Sequence, residues 1–153
     1  MKKIPSRFGE IEYQEDNLLR FPEGPIGFES LRNFVVMPNE KEGPLFWIQS
    51  VEDPGVAFIL TDPTSFFPAY RVAPDMNERR KLQLADDEVC FTLVVVSVSP
   101  ERQVTLNLAA PILMAPGSRR ALQVILEGGR YQSRTPLPAV EEAHRAVEAG
   151  SGK

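Results

Sequence analysis

The sequence predicts an all-β, mostly antiparallel fold: a single barrel-like or sandwich domain of short strands with one or two short helices. Fourteen prolines against ten glycines punctuate the 153 residues, and so many short connections suit strands better than a helix bundle. Apolar residues recur with a period of two in short runs, each bounded by Pro, Gly, Asp or Asn clusters. The centre of the chain, Glu88–Pro116, reads as a β-hairpin. Turn spacing implies about eight to ten strands.

Taken in order, Ile11 and Tyr13 alternate with Glu10, Glu12 and Gln14, a strand with a carboxylate face toward water. Glu15-Asp16-Asn17 turns the chain into Leu18, Leu19 and Phe21, and Ser30–Asn33 has the composition of one helical turn. Phe34–Met37 is a short strand closed by Pro38, and Asn39–Pro44 is a charged loop. Leu45–Val51 and Val56–Leu60 form a hairpin across Glu52-Asp53-Pro54-Gly55, where Pro and Gly stand at favoured turn positions. Trp47 lies between Phe46 and Ile48 and is assigned to the core. Asp62–Tyr70 is a proline-punctuated loop with Phe66, Phe67 and Tyr70. It is either an aromatic patch facing a partner or a loop packed over one barrel end; aromatics in a row are seldom exposed, which favours the second.

Asp75 followed by Glu78 is a helix start, an N-cap with an acid three residues on. The helix continues to Leu84, with Arg79, Arg80 and Lys81 toward solvent and Leu82 and Leu84 inward. Glu88–Ser99 is rich in Val, Phe and Thr and is too apolar for a one-sided strand, so it is expected to be buried on both faces. Ser99-Pro100-Glu101-Arg102 stops it, and Val104, Leu106 and Leu108 alternate with Thr105 and Asn107. Asn107 is a strand-centre amide just before Ala109-Ala110-Pro111, and such amides usually fix a bend through backbone hydrogen bonds. Pro111 cannot donate to a ladder, so a new strand or an edge begins after it. Leu122–Leu126 is a last core strand, Gly128-Gly129 a turn, and Arg130–Thr135 an edge pairing. Composition changes near Pro136, dividing a domain of residues 1–137 from a tail of residues 138–153. In the tail Val140, Ala143 and Val147 have helical spacing, which makes it mobile or marginally helical.

One stretch stands out as a candidate site. Phe21–Glu29, FPEGPIGFE, packs two prolines and two glycines into a short span. Pro22 and Pro25 restrict the backbone, Gly24 and Gly27 admit positive φ, and Phe28 is expected to anchor the loop. It reads either as a rigid recognition loop with Glu23 and Glu29 on its rim, or as a structural Ω-like loop.

Composition excludes several functions. The net charge of −4 argues against a direct nucleic-acid ligand, since phosphate contacts need a positive surface. The single cysteine, Cys90, lies in the most apolar segment, where a thiol is inert, and it precludes an intramolecular disulfide. The single histidine, His144, lies in the tail, far from any fixed partner. The glycine loop lacks the Lys-Ser/Thr of a phosphate-binding helix start, and the carboxylate pairs fall in polar turns. No catalytic residue, metal site or cofactor is expected. There is no signal peptide and no stretch of membrane-span length, so a cytoplasmic, non-membrane protein is expected. A small-molecule-binding β-barrel is the alternative to protein binding, although Phe46, Trp47, Phe58, Phe91 and Leu106 would fill a hollow interior.

Several blocks carry a family resemblance. Phe8-Gly9, Phe21-Pro22-x-Gly24-x-x-Gly27-Phe28-Glu29, Leu45-Phe46-x-x-Gln49-Ser50, Ala57-Phe58, Thr105-x-Asn107-Leu108-x-Ala110-Pro111-Ile112, Gln123–Leu126 and Tyr131 occur in that order. Together they make the chain resemble the flagellar assembly factor FliW family over residues 5–137, with departures at Met114-Ala115 and Ala121. The resemblance implies a monomeric, non-enzymatic, chaperone-like regulator in the cytoplasm. Its implied partners are flagellin and the translational regulator CsrA, which compete for it, so that CsrA repression of flagellin mRNA is relieved by partner switching. On this reading Glu23, Gly24, Gly27, Phe28 and Glu29 are the candidate partner-binding residues, with an electrostatic contribution to CsrA, and Asn107 and Pro111 are structural.

Overall fold

The computed structural model describes residues 2–6, 9–37 and 44–138. The charged loop at 39–43, Phe8, His144 and the tail from residue 139 onward lie outside them. Eleven strands run in chain order: β1 (Lys2–Ser6), β2 (Gly9–Tyr13), β3 (Leu18–Arg20), β4 (Asn33–Met37), β5 (Leu45–Ser50), β6 (Ala57–Thr61), β7 (Phe91–Val98), β8 (Val104–Leu106), β9 (Ile112–Ala115), β10 (Arg120–Gln123) and β11 (Thr135–Pro136). One helix, α1 (Met76–Leu82), and two 3-10 turns, at Glu15–Asn17 and Pro63–Ser65, complete the described residues.

Seven strands close a barrel in the order β3-β4-β5-β6-β7-β9-β10. All neighbours are antiparallel except at one seam, where Arg120 of β10 meets Arg20 of β3 in parallel. The eight-residue β7 is longer than any neighbour. On one side it pairs with β6 through Val94–Val96; on the other it pairs with β9 through Phe91–Leu93 and with β8 through Val96–Val98. β8 carries β11, while β1 and β2 form a separate two-stranded ribbon.

Period-two alternation sorts the barrel's side chains. Leu19, Phe34, Ile48, Leu60, Leu93, Ile112 and Ala121 point inward with Phe21 and Leu31, and Phe46, Phe58, Val95 and Met114 pack against them. Val94 and Val96 point outward with Leu106 and Leu108, and here the Asp62–Tyr70 loop lays down Phe66 and Tyr70. The Tyr70 hydroxyl donates to the Leu108 carbonyl at 2.7 Å, its ring stacks edge-on to Tyr131 at 4.9 Å, and burial pushes the phenol's pKa far up. The loop thus covers the barrel flank. α1 covers the outer face of β9 and β10, placing Leu82 on Leu113, Ala115 and Leu122. Its start is the expected capping box: Asp75 accepts from Glu78 N–H at 2.8 Å, and Glu78 accepts from Asp75 N–H at 2.9 Å.

Several expectations need correction. The strands number eleven because Lys2–Ser6 pairs with β2, a ribbon with no apolar run to announce it. β7 is buried on both faces only at its centre; Phe91 and Val98 are exposed where neighbouring strands stop. Cys90 precedes β7 and is half-buried, with burial raising the thiol's pKa. Trp47 sits half-buried on the outer face between Met37 and Ile59, because Phe46 and Ile48 take the inward positions. Ser30–Asn33 forms no helical turn: Leu31 N–H closes a turn on Phe28 O at 3.0 Å, and Asn33 already belongs to β4. Arg79 and Lys81 are half-buried and engaged, Arg79 Nη2 donating to Ala85 O at 2.8 Å and Lys81 pairing with Glu23; Arg80 alone of the three is solvated.

Replacing Tyr70 by Phe keeps the ring but strands the Leu108 carbonyl in an apolar layer. Chemical denaturation of Tyr70→Phe should show a loss of about 1–2 kcal/mol, with the barrel's circular dichroism unchanged.

Candidate functional site

The Phe21–Glu29 loop runs between β3 and β4 and plugs one end of the barrel. Backbone bonds fold it tightly: Gly24 N–H to Phe21 O at 3.1 Å, Phe28 N–H to Pro25 O at 2.8 Å, and Phe21 N–H to Arg32 O at 2.7 Å. Gly24 has φ of +72°, and a Cβ there would lie 2.6 Å from Glu29 Cα and Phe28 O, so only glycine fits. Arg32 closes the neck, donating from Nη1 to Pro22 O and from Nε to Glu29 O at 3.1 Å. Beneath the loop, Phe28 stacks edge-on to Phe58 (5.2 Å), Phe58 meets Phe34 (5.9 Å), and Phe34 stacks edge-on to Phe21 (5.2 Å). Four rings therefore carry the loop's rigidity into the core.

The two stretches singled out in the sequence meet here. Gln123, on the inward face of β10, accepts from Ile26 N–H at 2.8 Å and donates to Ala110 O at 3.0 Å. Asn107 accepts from Ala110 N–H at 3.1 Å, and Val124 N–H donates to Pro111 O at 2.9 Å. Asn107 thus bonds the bend that Pro111 ends, and Gln123 ties that bend to the loop. Pro25, Ile26, Phe58, Asn107, Ile112 and Gln123 enclose a cavity of about 150 Å³ between them, small beside the about 300 Å³ at which small-molecule sites begin. Gln123 was not among the sequence candidates. Its signal was present, a lone amide in the otherwise apolar run Leu122–Leu126.

The rim carboxylates are not equivalent. Glu29 folds back and accepts from Gly27 N–H at 2.8 Å, which makes it part of the loop. Glu23 reaches across to Lys81 of α1 at 2.8 Å, and this hydrogen bond raises the ammonium's pKa. Phe28 is less of an anchor than expected, with 38% of its surface exposed despite its contact with Phe58. Ile26 beside it is 44% exposed. The loop's outer surface therefore pairs a fixed apolar crest with the Glu23–Lys81 ion pair. Among the described residues no three His, Cys, Asp or Glu side chains gather as metal ligands would, and no helix is long and apolar enough to cross a membrane.

The fold is a small closed-barrel domain that presents a prearranged, partly apolar loop at one end. Comparison with known proteins makes the class specific. The FliW protein family model matches residues 3–137. Flagellar assembly factor FliW of Syntrophotalea carbinolica is 58% identical over 138 residues, covering 90% of this chain and 99% of that one. Flagellar assembly factor FliW 2 of Desulfotalea psychrophila is 52% identical over 145 residues, covering 95% and 96%. A crystal structure of the flagellar assembly factor FliW superposes with a TM-score of 0.81 at 33% identity, covering 90% of this chain and 97% of that one. The chain belongs to the FliW family of flagellar assembly factors.

The two loop glycines should differ on substitution. Gly27 also has positive φ, but a Cβ there meets nothing within 4 Å. Gly27→Ala should cost about 1–2 kcal/mol, the left-handed strain alone, and Gly24→Ala distinctly more because backbone must move as well. Parallel thermal melts of the two variants measure the difference; equal costs would mean the close approach at Gly24 is not maintained in solution.

Proposed function

We propose that this flagellar assembly factor works by binding flagellin and CsrA in the cytoplasm. Bound to it, CsrA releases flagellin mRNA, and flagellin competes for the factor, so export of flagellin frees the factor and restarts synthesis. The protein acts as a monomeric, chaperone-like regulator and needs no chemistry of its own. Membership of the flagellar assembly factor family carries this reading. The capping loop supports it physically: a loop already held by Gln123, Arg32 and four stacked rings loses little entropy on docking. Its exposed Ile26 and Phe28 supply apolar contact, and Glu23 supplies a negative charge that would speed association with a basic surface.

Calorimetry with purified CsrA and flagellin tests the reading. Each should bind alone, and saturating flagellin should weaken CsrA binding and restore CsrA to its mRNA. Lack of binding to either protein would refute it. Glu23→Lys tests the surface, since Glu23 is the rim carboxylate not built into the loop's own fold. Association with CsrA should slow for this variant at low salt, and the difference should fade as the Debye length shrinks below about 8–10 Å. Equal rates at low salt would place CsrA elsewhere on the domain.

A further inference from the structure

The two ends of the barrel differ. One is plugged by the loop. At the other, a cleft of about 460 Å³ opens among Phe46, Asp62, Arg71, Thr92, Leu93 and Met114, within the range of about 300–1,000 Å³ usual for binding clefts. Its wall includes an edge of β7. Asn107 N–H donates to Val95 O at 3.0 Å, so Val95 turns its peptide groups toward β8. Successive residues of a strand turn theirs to opposite edges. Val94 and Val96 therefore face β6, opposite Thr61 and Ile59, while Phe91 and Leu93 face β9, opposite Met114 and Ile112. Thr92 faces the β6 side as well. But β6 ends at Thr61, opposite Val94, and the chain leaves through the turn capped by Asp62. The N–H and C=O of Thr92 thus open into the cleft with no hydrogen-bond partner among the described residues.

We propose that this is a strand-addition site: an extended peptide lies along the line that β6 vacates and exchanges two backbone hydrogen bonds with Thr92. This mode supplies affinity through the main chain and specificity through alternate side chains. The peptide residue opposite Thr92 places its side chain on Thr92's own face, the outward face shared with Val94 and Val96. The guanidinium available on the cleft wall is that of Arg71. Its Nη1 donates to Pro68 O and Tyr70 O at 2.8 Å each, and its Nε and Nη2 have no partner among the described residues. The other charge on the wall, the Asp62 carboxylate, is engaged by the Thr64 N–H and hydroxyl at 2.9 and 2.7 Å, so charge complementarity to Arg71 selects an acidic residue there. The residues on either side point inward, onto Phe46, Leu93, Met114 and the 49%-exposed Phe91. The recognised sequence is apolar–acidic–apolar in extended form. This assignment rests on the β7 edge and the walls of this cleft, independently of the Phe21–Glu29 loop, and applies whichever protein supplies the segment.

The probe is the pentapeptide acetyl-Thr-Val-Glu-Val-Thr-amide, titrated into isotope-labelled protein. Binding with a Kd below about 1 mM, and slowed exchange of the Thr92 amide at saturation, are expected. Thr92→Pro removes that N–H without touching the β9 ladder and should weaken binding about tenfold, whereas Thr92→Ala keeps the N–H and should bind within about twofold of the parent. The Lys-for-Glu peptide should bind more weakly than the probe, and Arg71→Glu should reverse that preference. No binding at several millimolar, equal binding by Thr92→Pro and Thr92→Ala, or shifts confined to the Phe21–Glu29 end would each overturn the proposal. If Thr92→Pro does not fold, exchange at Thr92 in the parent protein decides.

Discussion

The architecture depends on β7 being longer than each of its partners. Eight residues of Val, Leu, Phe, Thr and Ser give one strand two neighbours on the same edge, β9 for its first part and β8 for its last. Pairing with β9 closes the barrel, because β9 continues through β10 to β3. Pairing with β8 builds the outer layer in which Val94, Val96, Leu106, Phe66 and Tyr70 form a second core. A closed sheet has no free edges; here the β3–β10 seam closes through a single pair, and β6 stops short of Thr92. The strand that closes the barrel therefore also leaves its backbone opening.

The plugged end follows a different logic. Its loop has little regular structure, so its N–H and C=O groups must find partners one by one. Turn bonds satisfy several, Arg32 takes two carbonyls, Glu29 takes the Gly27 amide, and Gln123 takes the Ile26 amide. Because Gln123 also holds the Ala110 carbonyl at the bend ordered by Asn107, the loop and the bend are one hydrogen-bonded unit. The aromatic series from Phe28 through Phe58 and Phe34 to Phe21 seats that unit on the core. Such a crest can dock without reordering, which is the physical basis of the proposal that it recognises a partner.

What the sequence by itself determined was local. Period-two patterning located most strands, proline and glycine located the turns, and Asp75 with Glu78 marked the helix start, because each depends on a residue's own backbone preference or on partners three or four positions away. The order of the resembling blocks also sufficed for the family, since that information is linear. Decisions that rest on residues far apart in the chain needed the tertiary structure. Gln123 meets Ile26 across 97 positions, and Lys81 meets Glu23 across three intervening strands. Neither partner carries a local mark of the other, so Lys81 reads as part of a solvated face and Glu23 as a free rim charge. Barrel closure was equally hidden, because period two tells which face a residue takes but not which strand lies beside it. Where β6 ends relative to β7 is a matter of register between strands thirty residues apart, and only the folded sheet decides that Thr92 is left open.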